Sequence, residues 1–91
     1  MSRVGRHVRV NGRVQGVFFR AWTREQAESL GIAGWVRNCA DGSVEARVHG
    51  EAAAVDDMVA RLRQGPPAAA VTIVEVEEVE PGPESSFEIR R

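Results

Sequence analysis

The segment His7-Val8-Arg9-Val10-Asn11 alternates polar and apolar residues, the period of a strand with one buried face, and puts Val8 and Val10 on that face. The period then lengthens. Phe19, Thr23, Ala27 and Leu30 recur at helical spacing, which predicts a helix stopped by Gly31. Ile32 to Cys39 reads as a second strand, Asp41-Gly42 as a hairpin turn, and the alternating Val44, Ala46 and Val48 as a third strand antiparallel to the second. Val55, Met58, Val59 and Leu62 mark a second amphipathic helix ended by Gly65-Pro66-Pro67. Val71 to Val79 forms a fourth strand, where the adjacent apolar pair Ile73-Val74 together with Glu77-Glu78 implies a bulge or register break. Phe87 and Ile89 alternate in a short last strand.

The order β-α-β-β-α-β predicts an α+β, ferredoxin-like sandwich, a single domain over 1–91 with two helices on one face of an antiparallel sheet. In that topology the first two strands run parallel with another strand between them, so their carboxyl ends share one edge of the sheet. Arg20 follows the first strand and Asn38 closes the second, and the two are therefore expected to face a common pocket. The polar segment 80–86 is expected to be a plain connector.

Composition narrows the function classes. Twelve basic residues, all arginine, against 13 acidic ones give a net charge of −1, so bulk electrostatics draws the chain neither to nucleic acid nor to an anionic membrane. Recognition of an anion must be local. The third strand, Ser43 to His49, lacks the aromatic stacking pair of an RNA-binding sheet. Cys39 is the single cysteine, which excludes an intrachain disulfide and suits a reducing compartment. The first residues lack the apolar run of a signal peptide, and the expectation is a cytoplasmic protein without a membrane span. His7 and His49 fall within strands, without metal-ligand spacing, and are expected on the surface or a sheet face; no metal and no cofactor is expected. Trp22 and Trp35 read as packing residues, Cys39 as a small apolar residue near the pocket, and Glu75, Glu77, Glu78 and Glu80 as the wet side of a strand.

The chemistry concentrates in residues 12 to 20, G-R-V-Q-G-V-F-F-R, where a glycine-bearing turn joins a strand to a helix. Amide groups of such a turn and the unpaired donors of the helix's first turn converge and favour negative charge, and Arg20 adds a planar fork suited to phosphate. Downstream come Gly34-Trp35-Val36-Arg37-Asn38, Gly42-Ser43-Val44 and Gly50. Together these stretches resemble both signature patterns of the acylphosphatase family, G-x-V-Q-G-V-x-F-R and G-W-V-x-N-x-x-x-G-x-V-x-x-x-x-x-G.

The resemblance implies metal-independent hydrolysis of small acyl phosphates to a carboxylate and inorganic phosphate. It assigns the backbone N–H groups of Gln15, Gly16, Val17, Phe18 and Phe19 to the phosphate, Arg20 to its oxygens and Asn38 to the attacking water. Ser43 stands where relatives often carry threonine and keeps a hydroxyl able to brace Asn38. The lack of tyrosine leaves the C-terminal rim of the pocket undefined. A carboxylate leaving group, with a conjugate acid pKa of about 4, departs unprotonated, so a general acid is unnecessary. Inorganic phosphate or sulfate is expected to compete with substrate, and the protein to act as a monomer. The rival reading is a non-catalytic ferredoxin-like module that senses an anion or binds a partner, with Asn38 then only an Asx-turn residue before the hairpin.

Overall fold

The computed structural model describes residues 2 to 91. Its elements are β1 (Arg3–Arg13), α1 (Phe19–Leu30), β2 (Ala33–Asn38), β3 (Val44–Glu51), α2 (Ala52–Gln64), β4 (Ala70–Val79) and β5 (Phe87–Arg90). They form one five-stranded sheet in the order β4-β1-β3-β2-β5. The first four strands pair antiparallel, and β5 adds parallel to β2, which makes the sheet mixed. Alternation at Phe87 and Ile89 fixes which face of β5 is buried but carries no information on its direction. No helix among the described residues is long and apolar enough to cross a membrane.

The helices cover one face of the sheet because the apolar side chains stand there. Val8 and Val10 of β1, Val36 of β2, Val44, Ala46 and Val48 of β3 and Phe87 of β5 pack with Phe19 and Ala27 of α1 and Val55, Met58 and Leu62 of α2. These side chains drive folding through removal of apolar area from water, at roughly 25 cal/mol per Å². Gly34 lets β2 lie close against β3. Its φ is 139°, and a Cβ there would sit 1.8 Å from the Arg47 carbonyl oxygen.

The register break on β4 is real but local. Asn11 pairs with Ile73 and Gly12 with Val71, leaving Thr72 as the extra residue, whereas Glu77 and Glu78 stay in register opposite His7 and Arg6. Glu75 and Glu77 therefore share one face with His7 and Arg9, and Glu78 lies on the other, although all three are exposed because β4 is an edge strand.

The open face carries charge in place of apolar groups. Glu45 near the start of β3 is only 8% exposed, accepts hydrogen bonds from His7 Nε2 and Arg37 Nε (2.6 Å for the latter), and lies 3.9 Å from Arg9. His49 stands on the open sheet face, one of the two placements expected for it, but it is covered there. It is 1% exposed beneath segment 80–86, where its Nε2 meets Glu84 Oε1 at 3.2 Å, and Glu84 in turn accepts from Arg90 Nη2 at 3.1 Å. That segment is thus anchored to the sheet rather than being a plain connector.

Burial pushes the Glu45 carboxyl up, but the hydrogen bonds from His7 and Arg37 and the nearby Arg37 charge outweigh it and hold the group below its ordinary value of 4.5. A depressed pKa in the folded state stabilises the protein above the unfolded value and loses that contribution as pH falls through the folded one. Urea unfolding between about pH 5 and pH 3 is expected to show a shallower acid decline for Glu45→Gln than for wild type. Glu84, depressed likewise against burial by a hydrogen bond from its own backbone amide and then by its bonds to His49 and Arg90, should leave a residual slope.

Candidate active site

Between β1 and α1 the chain makes a tight loop that only particular residues permit. Val14 tucks into the core at 1% exposure, Gly16 takes φ 74° with open space where a side chain would stand, and Phe18 adopts φ 60°, ψ 27°. Phe18 is the one non-glycine residue with positive φ among the described residues. Such a left-handed backbone costs about 1–2 kcal/mol for an L-residue. Phe18 also occupies the N-cap of α1, a position usually taken by Ser, Thr, Asp or Asn. Its side chain makes no cap hydrogen bond, and the first turn holds no acidic residue. No turn or loop backbone bond uses the N–H groups of Gln15 to Phe19. An unfilled set of amide donors at a positive helix end is a site for an anion.

The opposing wall comes from β2. On β3, Val44 pairs with Val10 of β1 on one side and with Asn38 of β2 on the other, so Asn38 lies two strand spacings, about 10 Å, from Val10 near the end of β1. Asn38 shares the helix-side face with Val36, two residues earlier. A cavity of about 450 Å³ results, lined by Val14, Gly16, Phe18, Phe19, Arg20, Ala21, Asn38 and Ile89. Arg20 and Asn38 therefore face one space, as the topology required. Neither side chain has a hydrogen-bond or ion-pair partner among the described residues, in contrast with Arg9, Arg37 and Arg61, which are engaged. The lining contains no carboxylate, thiol or imidazole. Ile89 of β5 closes the C-terminal rim that the missing tyrosine left undefined.

Of the other expected site residues, Val17 and Ser43 sit outside the cavity lining. Val17 packs against the core, and Phe19 is both core and cavity wall, meeting Trp22 edge-on with ring centroids 5.6 Å apart. Ser43 does not reach Asn38 with its hydroxyl. That group donates to Asp41 Oδ1 at 2.6 Å and accepts from Arg9 Nη1 at 2.9 Å, while the Ser43 amide donates to Asp41 Oδ1 at 3.0 Å. Ser43 supports Asn38 only through the turn, where the Cys39 amide donates to the Ser43 carbonyl at 2.8 Å. The Asx residue of this turn is Asp41, whose carboxyl is held below its ordinary value first by the Ser43 hydroxyl and then by the Ser43 amide. Asn38 is free of that duty.

The Gln15 side chain was not anticipated. Its Nε2 donates at 2.8 Å to both the Cys39 and the Ser43 carbonyls, stitching the β1–α1 loop to the β2–β3 turn one residue beyond Asn38. Spacing could not reveal this, because the two partners are backbone atoms 24 and 28 residues away.

A ferredoxin-like sandwich with free amides, one unpaired guanidinium and an asparagine around a small cavity has the makings of a phosphate-handling hydrolase. The acylphosphatase family model matches residues 6–89. An acylphosphatase of Rubrobacter xylanophilus is 60% identical over 85 residues, 91% of this chain and 76% of that protein. Among solved structures, an acylphosphatase from Coxiella burnetii superposes with a TM-score of 0.93 at 42% identity, covering 97% of this chain and 93% of the other. That of Bacillus subtilis gives 0.93 at 34% identity over 97% and 99%. This chain belongs to the acylphosphatase family, and its activity is the hydrolysis of acyl phosphates.

Removing the Gln15 amide takes away two side-chain hydrogen bonds that tie the loop to the turn, although each carbonyl keeps a backbone donor, from Gly42 and Cys39 respectively. Gln15→Ala is expected to lower unfolding stability by about 0.5–1.5 kcal/mol in urea titrations. Gln15→Glu should be at least as damaging at neutral pH, because a carboxylate offers no donor to either carbonyl.

Proposed function

We propose that the backbone amides of Gln15 to Phe19 and the Arg20 guanidinium hold the phosphoryl group of a small acyl phosphate while Asn38 orients the water that attacks phosphorus. The observation that carries this reading is the placement of Arg20 and Asn38, both unpaired, on the walls of one cavity at the amino end of α1. Water adds to phosphorus as the bond to the acyl oxygen breaks, giving a carboxylate and inorganic phosphate. The departing carboxylate needs no proton, which is consistent with a lining that offers no general acid. Charge spread over the equatorial oxygens of a loose transition state is stabilised by donors already in place, so positioning and electrostatics supply the rate. The Asn38 carboxamide suits water well, since its carbonyl accepts from the water while its NH₂ group donates elsewhere. Nothing in this sequence of events requires a metal ion, and the whole site comes from one chain, in keeping with a monomer. Inorganic phosphate or sulfate would occupy the same donors and compete.

The two residues separate binding from chemistry. Arg20→Ala is expected to lower kcat/KM by on the order of 10³ or more and to abolish stabilisation by inorganic phosphate in thermal melts; Arg20→Lys should recover little, because a point charge cannot reproduce the fork. Asn38→Ala should lower kcat by roughly 10² with only a modest change in phosphate affinity. Asn38→Asp should weaken phosphate binding as well, by setting a charge beside the anion. A near-normal Asn38→Asp enzyme would make Asn38 structural, and loss of wild-type activity to a chelator with rescue by a divalent cation would overturn the metal-free mechanism.

A further inference from the structure

We propose that the open face of the sheet carries a second anion site, built around Arg47 and Trp35, which takes a small anion bearing two or more phosphate or carboxylate groups. It lies back to back with the catalytic cavity. Successive strand residues point to opposite faces, so Arg37 and Arg90 line the open-face site while their chain neighbours Asn38 and Ile89 line the cavity on the helix side.

The chain gathers like charges here against the usual preference of a sheet. Arg37 of β2 and Arg90 of β5 stand side by side across the parallel ladder, an arrangement that costs stability. Trp35, two residues before Arg37, receives both guanidinium groups, with their carbons 5.8 and 5.2 Å from its ring centroid. Arg47 of β3 is the cross-strand partner of Trp35. With Arg91 and Glu45 these side chains surround a hollow of about 410 Å³, within the range of small-ligand pockets. Glu45 is the single carboxylate of the lining, and His7 and Arg37 already share it.

The arginines are held without being used up. Arg37 commits only Nε, to Glu45 at 2.6 Å. Arg90 gives Nε and Nη2 to Glu88 and Nη2 also to Glu84, which leaves Nη1. Arg47 meets no carboxylate: its Nη2 donates to the Glu80 carbonyl at 3.2 Å, and its Nε is buried without a partner among the described residues. A buried N–H left unbonded is costly, and a guanidinium fork is matched best by a carboxylate or a phosphate. Arg91 also stands outside the ion pairs of the described residues. The donors come from β3, β2 and β5, adjacent in that order, so the outer two strands are about 10 Å apart. Charged groups at two points of a ligand can engage both sides at once. Glu75 and Glu77, on the β4 side of the same face, oppose an extended polyanion, so the ligand is small.

The test titrates tripolyphosphate and citrate by calorimetry, at physiological ionic strength, into Arg20→Ala, which lacks the guanidinium of the catalytic cavity. The same titrations are run on that protein with Arg47→Gln and Arg91→Gln added. Glutamine at 47 keeps a donor for the Glu80 carbonyl, and neither substitution breaks an ion pair. At least one of the two anions is expected to bind, one molecule per chain, and the two glutamines to weaken it by roughly tenfold or more. Which anion binds tells phosphate from carboxylate. Trp35 fluorescence, read in Arg20→Ala with Trp22→Phe so that one tryptophan remains, should change over the same concentration range. With Arg20 intact, the enzyme carrying both glutamines should hydrolyse acyl phosphate at close to the wild-type rate. Neither anion binding to Arg20→Ala, binding indifferent to the two glutamines, or a silent Trp35 would overturn the site and leave the hydrolase reading untouched. Loss of hydrolysis in the double glutamine enzyme, with its thermal melt unchanged, would overturn the separation of the two faces and the proposal with it.

Discussion

The site depends on β3 lying between β1 and β2 in one register. Because Val44 faces Val10 on one side and Asn38 on the other, the strand that leads into the β1–α1 loop and the strand that carries the asparagine are measured from the same residue. A slip of one position in the β2–β3 pairing would turn Asn38 to the open face and Val36 out of the core together. The burial of Val36, Val44 and Val10 therefore fixes the spacing of the two cavity walls as well as a fold. Packing sets the register, and the register sets the chemistry.

That frame has to hold a loop which local preferences oppose. Phe18 is strained and α1 starts without a side-chain cap, so neither backbone propensity nor capping would choose this conformation. Contacts outside the loop compensate: Val14 and Phe19 are buried on either side of it, and Gln15 reaches across to two carbonyls of the hairpin. The amides between those anchors stay unpaired because the loop is held by its ends and by one side chain. A rigid array of unpaired donors suits phosphoryl transfer, whose transition state asks for fixed dipoles more than for proton transfer.

The period of the apolar residues made the elements and their order legible, and the order alone placed Arg20 and Asn38 at one sheet edge. Less was legible where the determinant is not a period. The direction of β5 depends on how segment 80–86 crosses to the far edge, and the burial of His49 on the Glu84 and Arg90 side chains that come with that segment. The bulge could be located only near Ile73, since the partner strand decides that Thr72 is the residue left out. Gln15 was read for its amide and proved to matter also for its side chain, whose partners are carbonyls that every residue type possesses. Ser43 has a hydroxyl able to brace Asn38, but the shorter reach to Asp41, two residues before it, captures that hydroxyl.

The charged open face, although remote from the cavity in side-chain contacts, bears on the same hairpin. Arg9 extends from β1 toward Glu45 at 3.9 Å, Asp41 at 3.7 Å and the Ser43 hydroxyl at 2.9 Å. Asp41 and Ser43 form the turn, and the Ser43 carbonyl is one of the two that Gln15 grips from the loop side. The hairpin that positions Asn38 is thus held from both faces of the sheet, by a guanidinium on one and by a carboxamide on the other. Exposed ion pairs contribute little alone, but a half-buried arginine shared by a hydroxyl and two carboxylates lies in one geometry with the turn it supports. The arginine of the open face and the glutamine of the signature loop do one task, which is to keep the second strand's last residue opposite the loop that follows the first strand.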